Sequence, residues 1–229
     1  MQCVVSSFWL PRDGSRAEHY EDAFWPRHTG ARTTPRLRLA VADGASESML
    51  SGLWADLLVR TWCRSRRRPD GQAVAAAMSG WRSALVAYLR GREAAKRPIE
   101  WFEQPGLERG AHATLLGVEL AGPARSGGPG RWSAVSVGDS CLFQVRDDAL
   151  VRAFPVEEAS GFGNAPKLVP TRAGQLSRVV AALERAEGAW QDGDVLLLTT
   201  DAVAAWVLAG AAAGRRPWRA LLRFHQDDE

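Results

Sequence analysis

Five acidic points in this 229-residue chain share one setting. Glu21-Asp22, Asp43-Gly44, Gly138-Asp139-Ser140, Thr200-Asp201-Ala202 and Asp227-Asp228 each stand at the end of an apolar stretch that reads as a strand, or in the turn after it. A carboxylate at a strand end is held rigidly, and strand ends can gather at one edge of a sheet. Carboxylates held close together repel and cannot all stay ionised without a cation. Oxygen donors, with no cysteine pair and few histidines, select Mg²⁺ or Mn²⁺ over zinc. Two such ions polarise a phosphoryl oxygen and deprotonate a water bridging them.

The stretch that organises the rest is LRLAVADGASES, Leu37 to Ser48. Leu37, Leu39, Ala40 and Val41 predict a buried strand, Asp43-Gly44 breaks it, and a helix is expected soon after Glu47. The glycine allows a sharp turn and a close approach of backbone to ligand. Taken alone, Asp-Gly reads first as a plain turn, and the other acidic stretches change that reading. Further strands are predicted at Gln2 to Trp9, Arg16 to Phe24, Ala113 to Glu119, Trp132 to Gly138 and Val195 to Thr200. Cys141 to Arg146 and Leu150 to Phe154 flank Asp147-Asp148 as a hairpin. Helical spacing runs from Gly52 to Arg66, from Val74 to about Glu93, and over Leu176 to Ala186, Ala202 to Ala213 and Trp218 to Phe224. Arg27 to Thr34, Arg97 to Arg109, Ala121 to Gly130 and Pro155 to Thr171 read as loops. No repeat or linker divides the chain, so one domain over 1–229 is expected. Strands in hairpin-like groups, with two helices inserted together, argue for antiparallel sheets with helices packed outside.

Composition narrows the classes. Hydrophobic content of 46% and charged content of 24% are those of a globular protein. A net charge of +3 is too mild to argue for nucleic acid by itself. Arg64, Arg66, Arg67 and Arg68 close the first long helix, where cations oppose the helix dipole; the other reading is a phosphate- or nucleic-acid-binding patch. Cys3, Cys63 and Cys141 are odd in number and far apart, with no CxxC pair, which argues against zinc and a disulfide framework and fits a reducing cytoplasm. The N-terminus has no basic leader, and no apolar run is long enough to span a membrane. The ten tryptophans are scattered; Trp54, Trp81 and Trp206 fall on helix faces and are expected to pack in the core.

Six stretches in order, YEDAF (Tyr20 to Phe24), VADGAS (Val41 to Ser46), GAHATLLG (Gly110 to Gly117), VGDSCLF (Val137 to Phe143), DGDVLLLTTDAV (Asp192 to Val203) and the terminal QDDE, resemble the metal-dependent protein phosphatases of type 2C, the PPM family, in a compact bacterial-type form. The resemblance implies an α+β fold: a four-layer αββα sandwich of two antiparallel sheets flanked by helix pairs. It implies hydrolysis of phosphoserine or phosphothreonine on a protein by a hydroxide bridging two Mn²⁺ or Mg²⁺ ions, with no phosphoenzyme. Asp43 would bridge the ions and Gly44 would lend its carbonyl. Glu21 and Asp22 would hold an ion directly or through its waters. Asp201 and Asp227 would ligate one ion, and Asp139 would serve a third, weaker one. Arg16 would hold the substrate phosphate. His19 and His112 match no family acid and read as structural.

The sequence also departs from the family. Ala45 stands where glycine or histidine often follows Asp-Gly, Ala202 follows Asp201 in place of glycine, and the closing strand after Asp-Asp is missing. The departures support a second reading, a catalytically weak or inactive member acting as a regulatory or binding module. A third is a nucleic-acid binder using Arg64 to Arg68. The enzyme reading implies a phosphorylated protein substrate, a cognate serine/threonine kinase pathway, no membrane and no nucleic acid. The Pro155 to Thr171 segment either shapes substrate choice near the metals or packs as a surface loop.

Overall fold

Leu116, Val118 and Leu120 point to one side of their strand, and Leu115 and Gly117 to the other. That alternation sets the layering of the molecule. The structure is a computed structural model and describes residues 1–10, 20–65, 71–124, 127–163 and 165–226. Its strands are β1 (Gln2–Val5), β2 (Ala23–Trp25), β3 (Gly30–Thr33), β4 (Arg36–Ala42), β5 (His112–Ala113), β6 (Leu115–Ala121), β7 (Gly130–Val137), β8 (Cys141–Arg146), β9 (Ala149–Phe154), β10 (Val169–Pro170), β11 (Glu184–Trp190) and β12 (Val195–Thr199). Its helices are α1 (Ser51–Arg64), α2 (Gly71–Ala94), α3 (Gln104–Arg109), α4 (Leu176–Ala182), α5 (Asp201–Ala212) and α6 (Trp218–Gln226).

A five-stranded antiparallel sheet runs in the order β11-β7-β6-β4-β2 and faces a three-stranded antiparallel sheet, β12-β8-β9. Two short ladders, β1-β3 and β5-β10, complete the pairing among the described residues. Three apolar clusters lie between the layers. Trp54, Leu58, Val59 and Trp62 of α1, with Ala73, Val74, Ala77 and Met78 of α2, cover Ala40, Leu115 and Val137 on the outer face of the large sheet. Leu116, Val118, Leu120 and Trp132 meet Leu142, Phe154, Leu196 and Leu198 between the sheets. Cys141 and Phe143 on the far face of the small sheet meet Ala204, Val207 and Leu208 of α5 and Leu221 of α6. The result is the four-layer αββα sandwich.

Close packing explains several residue choices. Trp62 lies flat on β6 at Gly117, where a Cβ would stand 2.3 Å from the indole. Across the β7-β11 pair, Trp132 is in register with Gly188 and Trp190 with Gly130. Each ring occupies the space that its glycine leaves open. The β8-β9 turn is made by Asp147 and Asp148, both with positive φ (49° and 60°), which a two-residue hairpin loop requires. Asp148 then accepts hydrogen bonds from Trp218 Nε1 and Arg219 Nε, both at 2.9 Å, and pairs with Arg216. This ties α6 to the hairpin.

Some expectations are corrected. Glu184–Trp190 is a strand, so the helix expected to Ala186 stops at Ala182. Gly30–Thr33, expected as loop, pairs with β1, which itself ends at Val5 rather than Trp9. Of the described residues of the expected second strand, Ala23 and Phe24 lie in β2, which runs on to Trp25, and α3 occupies the end of the irregular stretch to Arg109. Pro155 to Thr171 carries a 3₁₀ turn at Ala159–Gly161 and ends in β10, which is buried. Trp54 is fully buried, but Trp206 is 45% exposed. Arg16, His19, Arg66 to Arg68 and Asp227 lie outside the described residues. No helix among the described residues is long and apolar enough to cross a membrane.

Candidate metal centre

Asp43 follows β4 directly, at the end of a strand hydrogen-bonded on both edges. Its backbone N–H donates to Thr114 Oγ1 at 2.8 Å, and its carbonyl accepts from Thr114 N at 2.8 Å. The Thr114 hydroxyl also pairs with Ser140 Oγ at 2.8 Å. Asp43 is thereby fixed to the start of β6 and to the turn that carries Asp139. Gly44 bridges to Ala113, and a Cβ there would stand 2.6 Å from the Glu21 carbonyl oxygen. Only glycine lets the Glu21 segment lie that close.

Glu21 is turned toward α1, where Ser51 Oγ donates to its Oε1 at 2.5 Å. Asp22 faces the other way. It receives hydrogen bonds from Tyr20 and from Thr200 Oγ1, the latter at 3.3 Å, and lies within hydrogen-bonding reach of Asp43. A hydrogen bond between two carboxyl groups needs a proton between them. Asp201, at the N-terminus of α5, and Asp139, after β7, are close enough to act on this pair electrostatically. The structure therefore brings Asp22, Asp43, Asp139 and Asp201 to one end of the sandwich, from positions 179 residues apart at most.

The electrostatics follow from this crowding. Burial first, then the Asp22 charge, and then the Asp201 and Asp139 charges push the Asp43 carboxyl up to about 8. Burial likewise raises Asp22, against the hydrogen bonds that favour its ionised form. Asp139 is raised by burial and by Asp201. The Tyr20 phenol is pushed well above its ordinary range by burial and by Asp22. Four carboxyl groups at this spacing hold excess negative charge that protons partly neutralise, and a divalent cation would neutralise it at higher pH.

The donor set fits such a cation. It is all oxygen, it is acidic, and Gly44 keeps a backbone segment close beside it. Among the described residues no three acidic, histidine or cysteine side chains are drawn close enough to chelate an ion as they stand. Asp22 and Asp43 are engaged with each other, and Asp201 Oδ1 accepts from the backbone N–H of Ala202 at 2.6 Å. His112 lends its backbone to the loop, bonding Ala45 N and Ser48 Oγ.

Sequence reasoning left out Tyr20, Ser51, Thr114, Ser140 and Thr200, the groups that orient the acids. Each neighbours a quoted motif or lies within one. Their roles depend on strand register, which a single chain does not display. A cavity of about 270 Å³ opens beside Asp139, between Val156 and Pro166 on one side and Glu184 on the other. This is where the Pro155 to Thr171 segment meets the acidic end.

The fold and the four converging carboxyl groups define an αββα sandwich with an acidic, metal-suited end. No family model matches the chain, and no curated protein matches it. Solved structures do. A photosystem II phosphatase is 14% identical at a TM-score of 0.49, covering 86% of this chain and 63% of its own. A bacterial serine phosphatase is 12% identical at 0.49, covering 90% and 79%. The catalytic domain of the serine/threonine protein phosphatase PstP, in complex with two manganese ions, is 16% identical at 0.44, covering 86% and 76%. The chain thus spans less than two thirds of the length of the photosystem II enzyme.

Proposed function

We propose that this chain is a metal-dependent protein phosphatase, a phosphoric monoester hydrolase that removes phosphate from phosphoserine or phosphothreonine. The observation that carries the reading is the contact of Asp22 with Asp43, with Asp139 and Asp201 close by, a gathering of like charge that a divalent cation would neutralise. Asp22, Asp43, Asp139 and Asp201, with the Gly44 carbonyl, would hold Mn²⁺ or Mg²⁺, and Asp227 is proposed to join them. Bound there, the ions would supply Lewis-acid polarisation of the phosphoryl oxygen and a water acidic enough to attack it.

The chain's own groups do the positioning. Thr114 and Ser140 fix Asp43. Tyr20 and Thr200 donate to Asp22 and favour its ionised form against the burial that raises it. Ser51 keeps the Glu21 carboxylate at the start of α1, where it would hold an ion directly or through its waters. Arg16 is proposed to pair with the substrate phosphate. The working partners are a phosphorylated protein and the kinase pathway that modifies it. The three unpaired cysteines suit a reducing cytoplasm.

The test is hydrolysis of p-nitrophenyl phosphate and of a phosphothreonine peptide with Mn²⁺, with a chelator, and in Asp43→Asn. Turnover that needs the metal and is lost in the variant is expected. A rate that ignores both overturns the reading. One observation favours a second reading, a binding module on the same fold: no three acids stand ready to chelate among the described residues. Mn²⁺ binding without turnover would select it.

A further inference from the structure

Along α1, from Asp56 to its end at Arg64, arginines of α1, of β4 and of the segment after β2 gather on shared partners. Arg36 and Arg38 of β4 share Glu119, at 3.4 and 2.6 Å. Arg38 also reaches the Ser65 carbonyl and lies over the Trp62 ring at 5.8 Å. One residue before Ser65, Arg64 stacks over Trp25 at 5.1 Å. Two residues beyond Trp25, Arg27 reaches Asp56 at 2.7 Å, and Arg60 shares that same carboxylate. Among the described residues, four guanidinium groups therefore share two carboxylates, and Arg64 adds a fifth that stacks on Trp25. The surplus of three positive charges equals the net charge of the whole chain. Arg27 and Arg36 keep more than 60% of their side-chain surface exposed, and Arg64 is exposed as well.

We propose that this gathering of arginines is a docking face for an acidic segment of a partner polypeptide. Charge complementarity sets the sign of the ligand, and exposed guanidinium forks match the planar geometry of a carboxylate. The forks are already steadied by Glu119, Asp56 and Trp25, so little freedom is lost on binding. The interleaved Asp56 and Glu119 favour a peptide with spaced acids over a continuous phosphate backbone. Trp25 is already covered by Arg64, so it offers no stacking platform to a nucleobase. Ser51, which binds Glu21, opens α1, and Arg64 ends it thirteen residues later, roughly 20 Å away at the rise of an α-helix. The Arg64 end of the face is thus separate from the acidic end, and the proposal stands without catalysis.

The experiment is fluorescence anisotropy on the full chain in chelator. The probes are a labelled glutamate–serine peptide of about twelve residues, a lysine–serine peptide and a single-stranded DNA of similar length. The glutamate peptide is expected to bind alone and to weaken with salt. In the double variant Arg27→Gln/Arg64→Gln its affinity should fall about tenfold or more, with p-nitrophenyl phosphate hydrolysis and the melting curve unchanged. Arg36→Gln alone should lower affinity by roughly threefold, and it decides the matter if the double variant fails to fold. No binding of the glutamate peptide, the same affinity in the variants, or DNA bound as tightly as the peptide would each overturn the proposal.

Discussion

Thr114 carries no charge and is not itself a proposed ligand, yet its hydroxyl receives the Asp43 N–H and meets Ser140. Thr114→Val keeps the volume and removes that oxygen. Mn²⁺ affinity or turnover should fall by about 10–100-fold, as it does when supporting groups around a metal are lost. A Mn²⁺ titration of the folded variant checks this. Asp43 itself makes stability depend on pH. Its folded carboxyl titrates at about 8, against an unfolded value of about 4. Between those values the folded state binds more protons than the unfolded state, so stability falls as pH rises. The metal-free protein should therefore melt at lower temperature at pH 8 than at pH 5, and Asp43→Asn should flatten the trend. Thermal melts over that range in chelator measure it.

Among the elements, β4, β6, β7, β8 and α1 are legible because the strands carry alternating or near-continuous apolar residues and α1 has an apolar face at the helical period. Leu116, Val118 and Leu120 alternate, and Trp54, Leu58 and Trp62 recur every four. The strand Glu184–Trp190 was not legible. It has no β-branched residue, and it is extended because β7 pairs with it and Trp132 needs Gly188 opposite. The meeting of Asp22, Asp43 and Asp201 could be expected from their strand-end setting, whereas the orienting hydroxyls could not, since they act across register. Trp62 on Gly117 is the sharpest packing constraint in the layer of α1. Gly117→Ala forces a Cβ into the indole and should destabilise by about 1–3 kcal/mol, read as a lower melting temperature. At the other face, Asp148 holds α6. Its carboxyl lies below the ordinary carboxylate range because of Arg219, with Trp218 and Arg216 adding to the effect. This contribution is present above about pH 4 and is lost as pH falls toward the depressed folded value. Asp148→Asn should remove that part of the acid sensitivity, seen in tryptophan fluorescence on acid titration.

The whole molecule is a device for bringing together strand ends that are distant in sequence. Two antiparallel sheets face each other, α1 and α2 cover one and α5 and α6 the other, and the chain returns to the same end after β4, β7 and β12. Such convergence concentrates negative charge that the isolated strands would not carry, so a ligand that neutralises it binds the folded state alone. A divalent ion at a hundred times its dissociation constant would stabilise the fold by about 2.7 kcal/mol.

Calorimetric titration of Mn²⁺ into the metal-free chain at pH 8, beside Asp43→Asn, bears most directly on this picture. Saturable binding by the wild type, with protons released as Asp43 ionises and with affinity lost in the variant, is the predicted result. Identical heats from both proteins, or none from either, would contradict the claim that the gathered aspartates form a cation site.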